Sequence, residues 1–444
     1  MSSKGHPQFE VQPGAKLCGT LRVPGDKSIS HRALMLGAIA EGVTDISGFL
    51  GGEDTLATVA AFRTMGVRIE RTGDRVVVHG AGLHGLKAPA GPLNLGNSGT
   101  SMRLLTGLLA GQKFDTTLVG DESLSKRPMR RVVEPLSQMG ARIDTTPAGT
   151  APLYIHGDRK LAGIDYEMPV ASAQVKSCLL LAGLYASGVT TITEPAPSRD
   201  HTERMLKTFG VGIDVDGIRV SIHGGQQLRA APITVPADIS SAAFFMVGAA
   251  ITPGSDVTLK DVGVNPTRTG IIDILKTMGA DLRLLNERTA GGEPVADIRV
   301  RGGALCGIRI DERLVPSAID EFPAIFIAAA AASGETVLTG AAELRVKESD
   351  RIAVMAEGLQ RLGIDAQPLA DGMRIMGKGG DGAAIFNGGE IDSHGDHRVA
   401  MSFAIAALRA AAPIKIRDCA NVATSFPGFV ECAQAAGLAI RGQP

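Results

Sequence analysis

The six-residue stretch MGARID, residues 139–144, decides the fold because close variants of it return along the whole chain. Each variant is typical of the end of a helix, followed by one glycine and the start of a strand. A glycine directly after a helix ends it without strain because it adopts a left-handed backbone conformation. The six variants are MGVRIE (65–70), MGARID (139–144), FGVGID (209–214), MGADLR (278–283), LGIDAQ (362–367) and AGLAIR (436–441).

The glycines of these stretches are 69 to 84 residues apart in a chain of 444 residues. Such a period, about 74 residues on average, indicates an internal repeat. Each unit begins with a polar or glycine-rich lead, which precedes a helix, a strand, a second helix, the glycine and two more strands. We therefore predict six βαβαββ repeats. The leads are PGDKSISHR (24–32), GNSGTSMR (96–103), PVASAQVK (169–176), VPADISSAA (235–243), VPSAIDEFP (315–323) and SHGDHRVA (393–400).

The sixth repeat ends without its closing strand, and the N-terminal strand FEVQP (9–13) belongs to no other unit. We predict that this strand completes the sixth repeat. Repeats one to three then form one lobe (23–234), and repeats four to six form the other (1–22 plus 235–444). Because the chain would cross between the lobes twice, a hinged pair of lobes with a cleft between them is expected.

Composition excludes several classes of protein. The 45 Lys and Arg residues balance 46 Asp and Glu residues, and only 4% of residues are aromatic, which argues against a nucleic-acid binder. The five cysteines form no C-x-x-C pair, which argues against a disulfide framework or a zinc site and for a reducing compartment. The start MSSKGHPQFE has no apolar signal region, and the longest apolar runs are too short for a membrane span. We expect a cytoplasmic protein without a metal or other cofactor.

The leads are the places where charge and hydrogen-bonding groups concentrate. A helix N-terminus presents unpaired N–H groups and partial positive charge, so it favours anions. The alternative is that the leads are ordinary capped helix starts. The serines expected to act as N-caps are Ser28, Ser98, Ser172, Ser240 and Ser317.

Cations accompany the leads, which favours a cleft for anionic ligands. Lys347 and Arg351 are four residues apart, a spacing at which like charges repel on a helix. Either Glu348 and Asp350 neutralise them on a solvated face, or an anionic ligand does. The loop GNSGTS (96–101) lacks the lysine of a Walker A motif, so ATP is not indicated. The other cations are Lys27, Arg32, Arg103, Arg127, Lys176 and Arg398.

Seven motifs in order give the chain a resemblance to a known family. They are VPGDKSISHRAL, LGNSGTSMR, KRPM, SAQVKS, SRDHTE, RVKESDR and DHRVAM. Over residues 9–440 the chain resembles the 3-phosphoshikimate 1-carboxyvinyltransferases, or EPSP synthases. The resemblance implies a two-lobed inside-out α/β barrel with three repeats per lobe. It also implies a monomer that transfers the enolpyruvyl group of phosphoenolpyruvate to the 5-hydroxyl of shikimate 3-phosphate.

The resemblance assigns roles residue by residue. Asp320 would be the base, Glu348 the proton donor, and Lys27 would assist. Shikimate 3-phosphate would be bound by Lys27, Ser28, Arg32, Ser172, Ala173, Gln174, Arg199, Asp320 and Lys347. Phosphoenolpyruvate would be bound by Lys27, Gly99, Arg127, Gln174, Arg351 and Arg398, with His397 as a weaker candidate.

Departures from the family pattern affect these expectations. Ala173 stands where many members have a serine, and ATSFP (423–427) lacks a lysine that many members carry. Gly99 predicts a phosphoenolpyruvate pocket wide enough for glyphosate. Two alternatives are a UDP-N-acetylglucosamine enolpyruvyl transferase and an inactive phospho-metabolite binding protein. The first family carries Asn after the lysine that corresponds to Lys27 and a reactive cysteine before the arginine that corresponds to Arg127; this chain has Ser28 and no cysteine there. The presence of both Asp320 and Glu348 argues against the second alternative.

Overall fold

The computed structural model describes residues 7–380 and 384–443, so the first six residues, used above for the signal-peptide expectation, lie outside it. The contacts divide the chain into two compact units. Unit 1 contains the chain up to Pro24, Pro236–Thr289 and the chain from Pro294 onward, and unit 2 contains Gly25–Val235 and Ala290–Glu293. No helix within the described ranges is long and apolar enough to cross a membrane.

The strands follow the predicted repeat. In chain order they are β1 (Gln8–Val11), β2 (Cys18–Leu21), β3 (Val43–Ser47), β4 (Arg68–Thr72), β5 (Arg75–His79), β6 (Leu93–Asn94), β7 (Thr116–Val119), β8 (Arg142–Asp144), β9 (Leu153–His156), β10 (Asp165–Glu167), β11 (Val189–Thr193), β12 (Ile213–Asp216), β13 (Arg219–His223), β14 (Ile233–Thr234), β15 (Asp256–Gly263), β16 (Asp281–Ala290), β17 (Glu293–Arg301), β18 (Ser333–Leu338), β19 (Asp365–Pro368), β20 (Met373–Lys378), β21 (Gly389–Asp392), β22 (Ile414–Arg417) and β23 (Ile440–Gln443).

The helices begin earlier than the apolar runs alone suggest, because several leads already form the first helical turns. They are α1 (Lys27–Ile39), α2 (Glu53–Thr64), α3 (Gly99–Ala110), α4 (Glu122–Ser125), α5 (Arg130–Gln138), α6 (Ala173–Gly183), α7 (His201–Thr208), α8 (Ile239–Ile251), α9 (Gly270–Thr277), α10 (Val315–Ala318), α11 (Phe322–Ala331), α12 (Arg351–Arg361), α13 (His397–Ala406) and α14 (Phe429–Ala435).

The described strands form six small sheets, three per unit. In the four-stranded sheets the first strand is parallel to the second, and the second is antiparallel to the third. The orders are β14-β3-β5-β4, β6-β7-β9-β8 and β10-β11-β13-β12 in unit 2, and β2-β15-β17-β16 and β21-β22-β1-β23 in unit 1. The sixth sheet, β18-β20-β19, has isolated parallel bridges at Cys306 and Arg309 where the others have a first strand.

The N-terminal strand completes the sheet of the sixth repeat, as predicted. β1 lies between β22 and β23, and Val11 pairs with Ile414 on one side and Ile440 on the other. β2 pairs in parallel with β15 of the fourth repeat. In unit 2, β14 follows the third repeat but pairs with β3 of the first.

Each unit has its own apolar core built around buried helices. In unit 1, α8, α11 and α13 are buried along their whole length and pack against one another. In unit 2, α3 packs against α6 and α1, and most of their residues are buried. A helix that is apolar on every side has no face for water, so these sequences specify interior helices.

The six glycines of the repeated stretch end their helices as predicted. Each directly follows a helix C-cap residue, and their φ angles range from 81° to 104°. A residue with a side chain is strained in this left-handed region. The six units therefore share this backbone conformation.

Only two of the five predicted serine N-caps are correct. Ser98 caps α3 and Ser172 caps α6 through side-chain oxygens that accept backbone N–H bonds. Aspartates cap the helices near the other serines: Asp26 caps α1, and Asp238 caps α8. The remaining serine, at 317, lies inside α10 and donates its hydroxyl hydrogen to a backbone carbonyl.

Candidate active site

Lys27 is the first residue of α1, and its charge is paired. Its Nζ lies 3.0 Å from Oδ2 of Asp54 on α2, and both side chains retain some exposure. His31, one turn further, is buried, and its Nδ1 lies 2.9 Å from the Thr58 hydroxyl. Burial lowers the pKa of His31 to about 3, and the charge of Lys27 adds to this effect. This end of α1 therefore presents a lysine beside a neutral histidine.

Arg32 connects three helices of unit 2. Its Nε donates to the Thr202 hydroxyl on α7 at 2.7 Å, and its Nη2 donates to the Ser177 hydroxyl on α6 at 2.8 Å. Its Nη1 donates to the carbonyl of Ser28 at 2.9 Å. Burial lowers the pKa of Arg32 to about 10, although Glu203 opposes the shift. These three hydrogen-bond partners of the guanidinium are neutral oxygens.

The remaining predicted residues for the sugar phosphate lie at the starts of α6 and α7. Ser172 is the N-cap of α6, and Ala173 is its first residue. Arg199 lies in the half-buried segment before α7, and its charge is one of those that lower the pKa of Arg32. Arg32 and Arg199 therefore act on each other electrostatically within unit 2.

Gln174 faces the start of α3. Its Oε1 accepts a hydrogen bond from Nη1 of Arg103 at 2.5 Å, and its Nε2 donates to the Thr100 hydroxyl at 3.0 Å. The side chain of Gln174 is thus fixed in orientation, with its amide between a cation and a hydroxyl.

Gly99 leaves space beside two guanidinium groups. A methyl group on its Cα would lie 3.0 Å from Nη1 of Arg127 and 3.3 Å from Nη1 of Arg103. Arg127 Nη2 donates to Oδ1 of Asn97 at 2.6 Å, so Asn97 fixes that cation. This space is lined by positive charge, which suits a small anion.

Lys176 does not join these cations, although the sequence pattern grouped it with them. It is buried, and its Nζ lies 2.7 Å from Glu194 Oε2 and 2.7 Å from Glu203 Oε1. Two carboxylates neutralise one lysine there, so Lys176 cannot attract an anionic ligand.

In unit 1, Arg351 joins both predicted catalytic carboxylates. Its Nη1 lies 3.4 Å from Oδ1 of Asp320, and its Nη2 lies 2.6 Å from Oε2 of Glu348. Its Nε donates to Oδ2 of the buried Asp396 at 2.9 Å. Burial acts to lower the pKa of Arg351, but its carboxylate partners, Asp396 first, outweigh burial and raise it. Arg351 is therefore a permanent cation.

Lys347 and Arg351 do not share a helix, contrary to the expectation from their spacing. Lys347 ends a short 3-10 turn, whereas α12 begins at Arg351. Burial lowers the pKa of Lys347, although Asp320 and Glu343 oppose the shift. Glu348 does neutralise Arg351, but Arg351 is only 1% exposed rather than on a solvated face.

Arg398 lies on the other side of Asp320. Its Nη1 donates to the Asp320 carbonyl at 2.9 Å and lies 3.7 Å from Oε1 of the buried Glu321. Its Nη2 lies 3.9 Å from Asp320 Oδ2. His397 precedes it as the first residue of α13 and is buried. Asp320 thus has one guanidinium near each of its carboxylate oxygens.

The sequence reasoning missed the carboxylates that hold the cations. Asp396 binds Arg351 and also caps α13 through the backbone N–H of Arg398. Asp54, inside α2, pairs with Lys27. The signal for Asp396 was its position before a helix, which is typical of an N-cap. No group of three or more His, Cys, Asp or Glu side chains in the described ranges could hold a metal ion.

Comparison with known proteins identifies the family. The family model described as EPSP synthase (3-phosphoshikimate 1-carboxyvinyltransferase) matches residues 11–432. The chain belongs to the EPSP synthase family. A relative from Methylococcus capsulatus, named 3-phosphoshikimate 1-carboxyvinyltransferase, is 69% identical over 97% of this chain and 98% of its own length. A relative of the same name from Alkalilimnicola ehrlichii is 66% identical over 98% of this chain and 96% of its own length.

Solved structures agree with this membership of the EPSP synthase family. An EPSP synthase from Acinetobacter baumannii has a TM-score of 0.89 and 60% identity over 99% of this chain and 100% of its own. The enolpyruvyl transferase NikO from Streptomyces tendae has a TM-score of 0.80 at 18% identity, with 99% of both chains covered. The second likeness shows a shared fold alone.

Proposed function

We propose that this chain transfers the enolpyruvyl group of phosphoenolpyruvate to the 5-hydroxyl of shikimate 3-phosphate and releases phosphate. The relatives that share 60–69% of its sequence over nearly its whole length carry the name of this activity. The structural observation that carries the proposal is the cluster in which Arg351 holds Asp320 and Glu348. This reaction supplies the pathway to aromatic amino acids.

The reaction needs a base and an acid at different atoms. In the addition step the 5-oxygen bonds to C2 of phosphoenolpyruvate, the hydroxyl loses its proton and the methylene carbon C3 gains one. In the elimination step a proton leaves C3 and phosphate leaves C2. We assign Asp320 as the base, since it is a carboxylate with one guanidinium near each of its oxygens. We assign Glu348 as the group that exchanges the proton with C3, with Lys27 assisting.

Both substrates carry several negative charges, and we propose that guanidinium and ammonium groups of this chain bind them. Arg32 and Arg199 in unit 2 supply charge for the phosphate of shikimate 3-phosphate. Arg127, Arg351 and Arg398 supply charge for phosphoenolpyruvate. The other proposed binding residues are Lys27, Ser28, Gly99, Ser172, Ala173, Gln174, Asp320 and Lys347.

Phosphate release from phosphoenolpyruvate tests the proposal. We expect release with shikimate 3-phosphate as acceptor, and none with UDP-N-acetylglucosamine. Release only with the latter, or with neither, would refute it. Asp320→Asn should lower kcat by about 10²- to 10⁴-fold, a typical contribution of a general base, while binding of shikimate 3-phosphate persists. Glu335→Gln, which removes an exposed partner of Arg374, is the matched control and should leave kcat unchanged.

We further infer that each unit is an inside-out α/β barrel, because each unit combines buried helices that pack in one apolar core with three small sheets. We also propose a monomer in the cytoplasm. The five free cysteines fit a reducing compartment. Sedimentation at micromolar concentration tests the oligomeric state, and a dimer would refute that part.

A further inference from the structure

A buried ion cluster lies next to the segment that carries Arg199. We name it the Lys176 cluster. Its members are Lys176 on α6, Glu194 directly after β11, Ser198 in the segment before α7, and Glu203 on α7. Lys176 is only 2% exposed, and Glu194 and Glu203 are each 3% exposed. Such burial of three ionisable groups is costly unless each is paired. Lys176 is paired with both carboxylates in this cluster.

The Lys176 cluster fixes Ser198 at three atoms. Lys176 Nζ donates to the Ser198 carbonyl at 3.4 Å, and Glu194 Oε2 accepts from the Ser198 N–H at 3.5 Å. Glu194 Oε1 also accepts from the Ser198 hydroxyl. The next residue is Arg199. The backbone on the N-terminal side of Arg199 is thus held by buried charge.

The same two helices also hold Arg32. Ser177, next to Lys176, bonds to Thr202, next to Glu203, with their hydroxyl oxygens 2.7 Å apart. Arg32 donates to both of these hydroxyls. Two adjacent sets of polar contacts therefore join α6 to α7. The Ser177–Thr202 pair contacts Arg32, and the Lys176–Glu203 pair belongs to the cluster that holds the segment before Arg199.

We propose that Lys176 is a positioning residue that holds Arg199 for shikimate 3-phosphate. The inference rests on the proposed function, in which Arg199 binds that substrate. Lys176 does not bind the substrate itself, because its charge is neutralised by two carboxylates. Its effect on binding passes through the geometry of the segment 194–200.

A double-mutant cycle on dissociation constants for shikimate 3-phosphate tests this. Lys176→Met should raise Kd at least about tenfold, since a misplacement of one ångström can cost up to about 10²-fold. The KM for phosphoenolpyruvate should stay within about twofold. If Lys176 acts through Arg199, Lys176→Met should add little to Arg199→Ala. Lys176→Arg, which keeps the charge, should restore part of the affinity.

Controls separate positioning from general instability. Lys260→Met removes the lysine that pairs with the buried Asp297 in unit 1, so it should lower the melting temperature without changing Kd. Glu194→Gln keeps the shape of the cluster and serves if Lys176→Met does not fold. An unchanged Kd in the Lys176 and Glu194 variants, or effects that multiply with Arg199→Ala, would overturn the proposal. An unchanged Kd in Arg199→Ala would instead overturn the substrate assignment on which it rests.

Discussion

Asp396 provides a sharp test of how charge organises unit 1. It is fully buried, accepts from Nε of Arg351 at 2.9 Å, and caps α13 by accepting from the N–H of Arg398. Asp396→Asn removes the negative charge but keeps an oxygen for the cap. Asp396→Ala removes both. The two variants therefore separate the ion pair from the helix cap.

The magnitude follows from the contacts that remain. Removing one partner of a buried ion pair costs about 3–5 kcal/mol because the other charge is left uncompensated. Arg351 retains Glu348 at 2.6 Å and Asp320 at 3.4 Å, so we expect the lower end of that range, about 3 kcal/mol, for Asp396→Asn. Asp396→Ala should cost about 1 kcal/mol more, the usual value of an N-cap.

Urea unfolding measures the loss of stability, and steady-state kinetics measures the effect on the site. Because the chain has two units, they can unfold in separate transitions. The chain has no tryptophan of its own, so the fluorescence of a tryptophan introduced at Phe245, in the core of unit 1, follows the unfolding of that unit. We expect KM for phosphoenolpyruvate to rise with Asp396→Asn, since Arg351 loses its buried anchor. Equal stability of Asp396→Asn and the parent would refute the assigned role. Equal stability of the two variants would refute the cap.

Three further predictions concern other parts of the chain. Folding lowers the pKa of His31 from 6.5 to about 3, so as pH falls the unfolded chain takes up a proton at this residue before the folded chain does. Between pH 7 and pH 5 the parent should therefore lose about 2 kcal/mol of folding stability that His31→Asn does not lose. Urea unfolding at both pH values measures the difference. Gly99→Ala places a methyl group 3.0 Å from Arg127 Nη1, so KM for phosphoenolpyruvate should rise about tenfold and that for shikimate 3-phosphate should not; equal changes in both would contradict this. Gly210→Ala has open space but a φ of 81°, so thermal unfolding should show a loss of about 1 kcal/mol, and no loss would contradict the strain.

The repeat could be predicted because its signals are local. The glycine after each helix and the alternating strands depend on neighbouring residues. The pairing of β1 with the last repeat is long-range, and it could be predicted because the sixth unit lacks one strand and β1 belongs to no other unit. The N-caps were harder. Asp26 and Ser28 are both good capping residues two positions apart, and the choice depends on where burial makes α1 begin. That is a tertiary property, so local sequence could not decide it.

The candidate site likewise has features that the sequence predicts and features that depend on the folded structure. The lead 315–323 contains Asp320, and the motif RVKESDR contains Glu348 and Arg351. Their spacing could not show that Arg351 contacts both carboxylates. Lys176 was grouped with ligand-binding cations because it lies in a lead, whereas its partners Glu194 and Glu203 come from later in the chain. Pairing between buried charges depends on three-dimensional proximity, which the order of residues does not give.

The position of β1 has a consequence for synthesis. Val11 pairs with Ile440, so strands made at opposite ends of the chain share one sheet. Residues Gly25–Val235 of unit 2 leave the ribosome as one continuous segment, but β1 must wait roughly 430 residues, about 20 to 90 s at typical elongation rates. During that interval the paired edges of β1 are without β22 and β23. Unit 1 is therefore the part of this chain that nascent-chain chaperones have the longest opportunity to bind.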